Sequence, residues 1–400
     1  MNPLRVLYVI NGLGTGGAER SLSEMLPGLV ARGVQPRIVC LHPRREGVEA
    51  EVRRQGVPVD VFPGPLPARV RRLRRLIAEE RPDLVHTAIF EANLTGGLAA
   101  ARSGRPVLMS LVNTPYETAR LQDPHIRPLG LRAARVVDAW MSHRLARHFH
   151  AITEAVKNAA VRTLRISPER ITVVERGRSP LRLGAPGEER RRQVRWQLGI
   201  PAEDHVLITV GRQEYQKGHR YLLQALSLLL PARPRLRLLL AGRSGYATEE
   251  LTRLHGAFGL KDRVWFLGHR EDVPDLLAAA DLFVFPSLWE GLGGAVIEAM
   301  ALGLPVVASD IPALREVVAA GHNADLVPPG SPGELARAIG ALLDDPGRAA
   351  VWGARSRQIF EMRFTLDRCT ARMADLYAKV VAMAAAGSPN TSRGVPSHTD

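Results

Sequence analysis

Short apolar runs alternate with helix-forming stretches along nearly the whole chain, and this alternation limits the fold more than any other feature. Runs at Leu4 to Ile10, Arg37 to Leu41, Val57 to Phe62, Asp83 to Thr87, Pro106 to Val112, Phe149 to Thr153 and Ile171 to Val174 read as strands. A second series follows at Val206 to Val210, Leu236 to Gly242, Val264 to Gly268, Asp281 to Pro286, Leu304 to Ala308 and Asp325 to Val327. Strands joined through helices pair in parallel, so the expected class is α/β with parallel sheets. Between the two series, residues 175–187 carry Arg-Gly-Arg-Ser-Pro and Gly-Ala-Pro-Gly without periodicity and read as an interdomain linker. At 400 residues the chain is too long for one typical core, which also favours two domains, residues 1–180 and 181–365.

Composition narrows the class further. Hydrophobic residues make up 46%, yet no uninterrupted apolar run reaches the roughly 18 residues a membrane-spanning helix needs. Val6 to Ile10 is too short for a signal-peptide core and runs into a glycine loop, so the expected compartment is the cytoplasm. Cys40 and Cys369 suggest neither a disulfide framework nor a metal site, and we expect buried free thiols and no metal. Residues 387–400, rich in Ser, Pro and Asn, are expected to be a disordered tail.

The net charge of +14 is unevenly placed. Residues 1–180 carry 28 basic against 16 acidic side chains, whereas residues 181–400 carry 26 against 24. Fifty of the 54 cations are arginine, so Lys217 stands out more than any single arginine. Basic amphipathic stretches at Arg69 to Glu80 and Arg132 to His150 suggest an anionic partner for the first half, such as a lipid-linked acceptor at an anionic membrane or a phosphorylated or acidic acceptor glycan. Nucleic acid is a poor candidate, because zinc spacings and RNA-binding aromatic signatures are missing and the second half is nearly neutral.

The densest chemistry lies in Asp281 to Ser309. A strand closed by Pro286 leads through Glu290 and the turn Gly291-Leu292-Gly293-Gly294 into a helix carrying Glu298, and a second strand follows. Glycines let the backbone approach a ligand, free N–H groups at a helix start suit phosphate or sugar oxygens, and carboxylates accept hydroxyl protons. Gly14, Gly16, Gly17 and Glu19 form a similar strand-loop-helix junction near the N-terminus, with a spacing that departs from the dinucleotide fingerprint. In Gly211-Arg212-Gln213-Glu214-Tyr215-Gln216-Lys217-Gly218, two cations stand five positions apart, enough for both to fold around one diphosphate. His86 and Asn113 stand at or just past strand ends, where a cleft facing the second domain would lie.

Glu290 and Glu298 in this context resemble the E-x7-E signature of the family 4 glycosyltransferases, and Gly16-Gly17-Ala18-Glu19 and Gly211-Arg212 to Lys217-Gly218 are similar to two further elements of that family. The resemblance implies the GT-B architecture, two Rossmann-like domains facing a central cleft, with a terminal helix at about 366–385 returning to the first domain. It implies a nucleotide-diphosphate sugar donor, an acceptor hydroxyl, transfer of a hexosyl group with retention of configuration, and no cofactor. Glu298 would hold the nucleotide ribose and Glu290 the sugar hydroxyls. Leu292, Gly293 and Gly294 would offer backbone N–H groups, Arg212 and Lys217 would stabilise the leaving diphosphate, and the turn with His269 and Arg270 would border the base.

The sequence departs from that family at three places. Asn113 stands where many relatives have histidine, and asparagine hydrogen-bonds but is neither acid nor base near neutral pH. Arg176-Gly177-Arg178 replaces a common Asn-Gly junction, and Gly294 stands where a larger residue is frequent. Rival readings are a GT-B enzyme of another reaction type, an epimerase or phosphorylase, and an inactive sugar-nucleotide-binding subunit.

Overall fold

A computed structural model describes residues 3–260 and 262–386; the tail expected at 387–400 lies outside the described residues. The first sheet contains β1 (Leu4–Ile10), β2 (Val34–Cys40), β3 (Val59–Val61), β4 (Leu84–Ala88), β5 (Val107–Leu111), β6 (His148–Ala151) and β7 (Ile171–Val173). The second contains β8 (His205–Val210), β9 (Leu236–Ala241), β10 (Val264–Gly268), β11 (Leu282–Phe285), β12 (Val306–Ser309) and β13 (Ala324–Val327). Their orders are β3-β2-β1-β4-β5-β6-β7 and β10-β9-β8-β11-β12-β13, with every pairing parallel.

Strand order reverses between β1 and β4 and again between β8 and β11. A crevice opens at such a switch point, outside the carboxyl ends of the strands. The glycine loop after β1, the Lys217 loop after β8 and the Glu290 loop after β11 all emerge there. Strands β4, β6, β11 and β12 are buried at every position; β11 and most of β12 accordingly read as apolar runs rather than as alternation, whereas β4 and β6 bury His86, Thr87, His148 and His150 among their apolar residues.

The helix Leu366–Ala386 returns to the first sheet, where Met373, Leu376, Tyr377 and Val380 pack with Val6, Leu84, Leu108 and Val174. The chain therefore crosses between the sheets twice, and the crossings lie side by side. Arg178 N–H donates to Phe364 O at 2.9 Å, and Leu366 N–H donates to Arg178 O at 2.8 Å. Gly177 permits this approach, since a Cβ there would sit 2.6 Å from Thr365 O. Elsewhere Glu316 spans the two halves, accepting from Glu154 N–H at 2.7 Å and Ala155 N–H at 2.5 Å at the start of the helix Glu154–Leu164.

One helix expectation overruns. The basic stretch Arg132 to His150 is not all helical: the helix is Pro128–Arg144, and His148 already belongs to β6. Side chains of His148 and His150 find partners on neighbouring β7 and just beyond it, Thr172 Oγ1 and Val174 O, both at 2.8 Å, so pairing takes these residues into the sheet. The other basic helix, Leu66–Glu80, buries Leu73, Leu76 and Ile77 and turns Arg71, Arg72, Arg74 and Arg75 to solvent.

Candidate active site

Lys217 and Glu290 meet at the mouth of the second sheet, with Nζ 2.5 Å from Oε1 and both side chains largely buried. Two further bonds fix the loops that carry them: Leu288 N–H donates to Gln216 O at 2.7 Å, and Gln216 Nε2 donates to Trp289 O at 2.7 Å. The ammonium also lies 5.1 Å from the Phe285 ring centroid, and its aliphatic stem passes over Gly211. Arg212 does not join them. Its side chain is 66% exposed, and the nearest carboxylate, Glu214, is 3.6 Å away.

Glu298, on the helix Gly294–Ala301, faces the first domain. Arg178 Nε donates to its Oε1 at 2.7 Å, and Arg182 Nη2 lies 3.6 Å from the same oxygen. Arg178 also donates to Ser21 Oγ at 3.3 Å, on the helix that opens at Gly17, and to Gly177 O at 3.0 Å. Arg182 pairs in turn with Glu24 at 2.7 Å, and burial pushes the Glu24 carboxyl above its usual range against the pull of Arg182 and Arg178. Four charges from the linker, the first helix and the second domain thus share one buried knot.

Gly294 is what lets Arg178 in. A Cβ on Gly294 would stand 2.1 Å from Arg178 Nη2, which is inside any allowed contact. Gly293 starts this helix in the left-handed region at φ 83°, and Leu292 is buried beneath the turn. Gly291 O accepts from Thr153 Oγ1 at 2.9 Å, and the Gly291 backbone lies against Val112 O, so the residue after Glu290 touches the first domain directly.

On the first-domain side, the Glu19 carboxylate folds back over Gly16, while Gly17 is open and Gly14 faces Arg44. Asn113 follows Val112 and so stands at the interdomain contact, its Oδ1 accepting from Thr114 N–H at 2.8 Å in a local turn. Arg176 is recessed near Tyr8 and Glu19, and burial lowers the pKa of its guanidinium. His269 is exposed, and Arg270 holds Asp272 through two bonds of 2.7 and 2.5 Å, which lowers the Asp272 carboxyl.

His86 is not a cleft residue. It lies within β4 rather than at its end, is wholly buried, and packs against Tyr8 with ring centroids 4.2 Å apart and the rings tilted by 56°. Because Val174 O can only accept, the direction of the hydrogen-bond chain around it is fixed. Tyr377 O–H donates to His86 Nδ1 at 2.8 Å and His86 Nε2–H to Ser110 at 2.7 Å. Ser110 O–H then donates to His150 Nδ1 at 2.9 Å, and His150 Nε2–H to Val174 O at 2.8 Å. Burial keeps both rings neutral, His150 with a pKa of about 4 and His86 well below the ordinary value. The chain ties the returning C-terminal helix to the start of the linker.

Arg178, Arg182, Ser21, Glu24, Thr153 and Glu316 escaped the sequence reading as site residues. Arg178 left a signal there, as one of two cations replacing Asn-Gly, and Gly294 left another; only proximity in space joins the two.

Two open parallel sheets that face each other across these charges define a two-domain enzyme architecture of the GT-B kind. Residues 15–180 match the family described as Glycosyltransferase Family 4, and residues 190–359 match Glycosyl transferases group 1. The D-inositol 3-phosphate glycosyltransferase of Xylanimonas cellulosilytica is 33% identical over 393 residues, covering 94% of this chain and 90% of that protein. Its counterpart in Salinispora tropica is 32% identical over 346 residues, or 82% of this chain and 70% of that protein. The crystal structure of Anabaena HepE in complex with UDP-glucose shares the fold, with a TM-score of 0.82 at 24% identity over 94% of this chain and 100% of that one. The chain belongs to the family 4 glycosyltransferases.

Proposed function

We propose that this glycosyltransferase moves a hexosyl group from a nucleotide-diphosphate sugar to an acceptor hydroxyl, with retention of anomeric configuration. The observation that carries the reading is the buried Lys217–Glu290 pair, set beside a glycine-started helix whose next carboxylate, Glu298, is engaged at Oε1 by Arg178. A diphosphate entering there competes with Glu290 for Lys217, and the free N–H groups of the helix start add to the attraction. Glu290, released from Lys217, is left to accept from sugar hydroxyls, and Glu298 from the ribose.

In the reaction, the bond from the anomeric carbon to the diphosphate oxygen breaks, a bond to the acceptor oxygen forms, and the acceptor proton passes to the departing diphosphate. Positioning and electrostatic stabilisation supply the acceleration, with Lys217 as the buried cation and Arg212 free to swing in from solvent. No cofactor enters this scheme.

For the acceptor, Arg176 favours an anion. It is recessed on the first-domain side near Tyr8 and Glu19, and no carboxylate forms an ion pair with it among the described residues. The two inositol-phosphate-glycosylating relatives make an inositol phosphate the first acceptor to try. The test is a panel of UDP-, GDP- and ADP-sugars against phosphorylated polyols, followed by mass spectrometry, with NMR of the product anomer. Product with released nucleotide diphosphate and retained configuration is expected. Donor isomerisation without acceptor glycosylation, or an inverted anomer, overturns the reading, as does strict loss of activity on metal chelation for its cofactor-free form.

A further inference from the structure

The helix Pro128–Arg144 turns its apolar stripe away from the protein. Leu129, Ala133, Val136 and Trp140 recur at the spacing that places residues on one face of a helix. That face is in solvent: Leu129 is 78% exposed, Val136 67% and Trp140 47%, and Leu121 just before the helix is 50% exposed. The opposite side holds the buried Met141 and Ser142 and the helix's one acid, Asp138, whose carboxylate accepts from Tyr116 O–H at 2.9 Å. Arg127, Arg132 and Arg144 are exposed beside the stripe and Arg135 is exposed farther round the helix, and among the described residues none of the four is paired with a carboxylate.

We infer that this face seats the protein on an anionic bilayer surface. An apolar ridge with exposed arginines beside it and no acid on the same side of the helix fits the headgroup boundary, where the ridge enters the acyl region and the guanidinium groups reach back to lipid phosphates. A second copy would bring the two cationic fringes against each other, which charge disfavours. Among the described residues no helix is long and apolar enough to cross a membrane, so this helix lies in the interface. The Tyr116–Asp138 bond ties it to the segment that begins at Asn113, which brings the first-domain side of the cleft towards the lipid. The other basic helix, Leu66–Glu80, has its large apolar residues buried and offers charge alone.

The experiment is co-sedimentation of the whole chain with phosphatidylcholine vesicles, with and without phosphatidylglycerol, at low and high salt. Binding to the anionic vesicles at low salt is expected. Combined Leu129→Ser, Val136→Ser and Trp140→Ser should lower the bound fraction about tenfold or more. Arg132→Ser, Arg135→Ser and Arg144→Ser together should abolish the preference for anionic lipid. Changing Arg71, Arg72, Arg74 and Arg75 to serine should leave most binding in place. Far-UV circular dichroism checks that each variant is folded. Wild-type protein that stays in the supernatant with anionic vesicles overturns the inference, and so does undiminished binding of the folded apolar variant. A dimer in sedimentation velocity that the same three apolar changes dissociate, without vesicle binding, assigns the face to a second copy instead. None of these readouts depends on catalysis.

Discussion

Arg178 reaches Glu298 across 120 residues of sequence, at 2.7 Å, through the space that any side chain on Gly294 would fill. The pair joins the linker to the helix that carries the second acid of the motif. It is also nearly sealed from solvent, so separating it leaves a buried charge without its partner.

Gly294→Leu is therefore expected to expel Arg178 and raise the donor KM about tenfold or more, since about 1.4 kcal/mol corresponds to each factor of ten. Adding Arg178→Ala to Gly294→Leu should recover part of the loss, because the clash disappears with the guanidinium. Steady-state kinetics of both variants check this, and a double variant worse than the product of the two singles would refute the pairing.

Lys217→Ala should reduce turnover more than Arg212→Ala. Lys217 is buried and leaves Glu290 unpartnered, whereas Arg212 is two-thirds exposed and forms only a loose ion pair. A loss of about 1.5–3 kcal/mol is expected for Lys217→Ala. Calorimetric titration with nucleotide diphosphates gives the affinity side, and equal small effects from both changes would sink the assignment.

Glu316→Ala removes the acceptor for two N–H groups at the start of the helix Glu154–Leu164 and, with it, a contact between the domains. Thr153 Oγ1 still caps Val156 N–H in that helix, so the local cost should be at the low end of about 0.5–2 kcal/mol. Hydrogen exchange should rise at Glu154 and Ala155 and at the interdomain contact around Gly291. Protection unchanged at all three sites would count against Glu316 as an interdomain cap.

Acid should destabilise this protein earlier than carboxylates alone would require. His148 and His150 have pKa values near 4, His219 near 3, and His86 well below 6.5, all chiefly through burial. The folded state thus binds fewer protons than the unfolded chain below pH 6.5. Stability from these groups is complete above that pH and falls as the pH drops towards 4, by about 1.4 kcal/mol per pH unit for each proton taken up. Glu24 runs the other way, since its raised pKa makes it costly at neutral pH and less so in acid. Urea midpoints measured between pH 7 and 4.5 should decline steadily, and His150→Gln should flatten the slope. A flat wild-type profile in that window would contradict the neutral-histidine chain.

The strands were readable because parallel strands covered on both faces are filled chiefly by apolar side chains, as β11 is throughout and β4 is at Leu84, Val85 and Ala88. His86 misled for the same reason. Its period within β4 was visible, but not which face it presents or that Tyr377, 291 residues away, would bond to it. Around residues 132–150 an arginine-rich helix and a histidine-bearing strand follow closely, and only pairing with β5 and β7 fixes where one ends. The charged knot was beyond reading, since Glu24, Arg178, Arg182 and Glu298 share no local pattern.

The paired crossings at Gly177–Arg178 and Phe364–Leu366 act as a two-ply spine for a book with two covers. Such a spine lets the covers swing but resists sliding and twisting, because either motion would shear one ply against the other. A cut in the exposed chain near Gly187 would leave the second ply intact, so the nicked halves should stay together. Arg178 belongs to the spine while its guanidinium rests on a cover, and its grip on Glu298 therefore registers the angle to which the book is open.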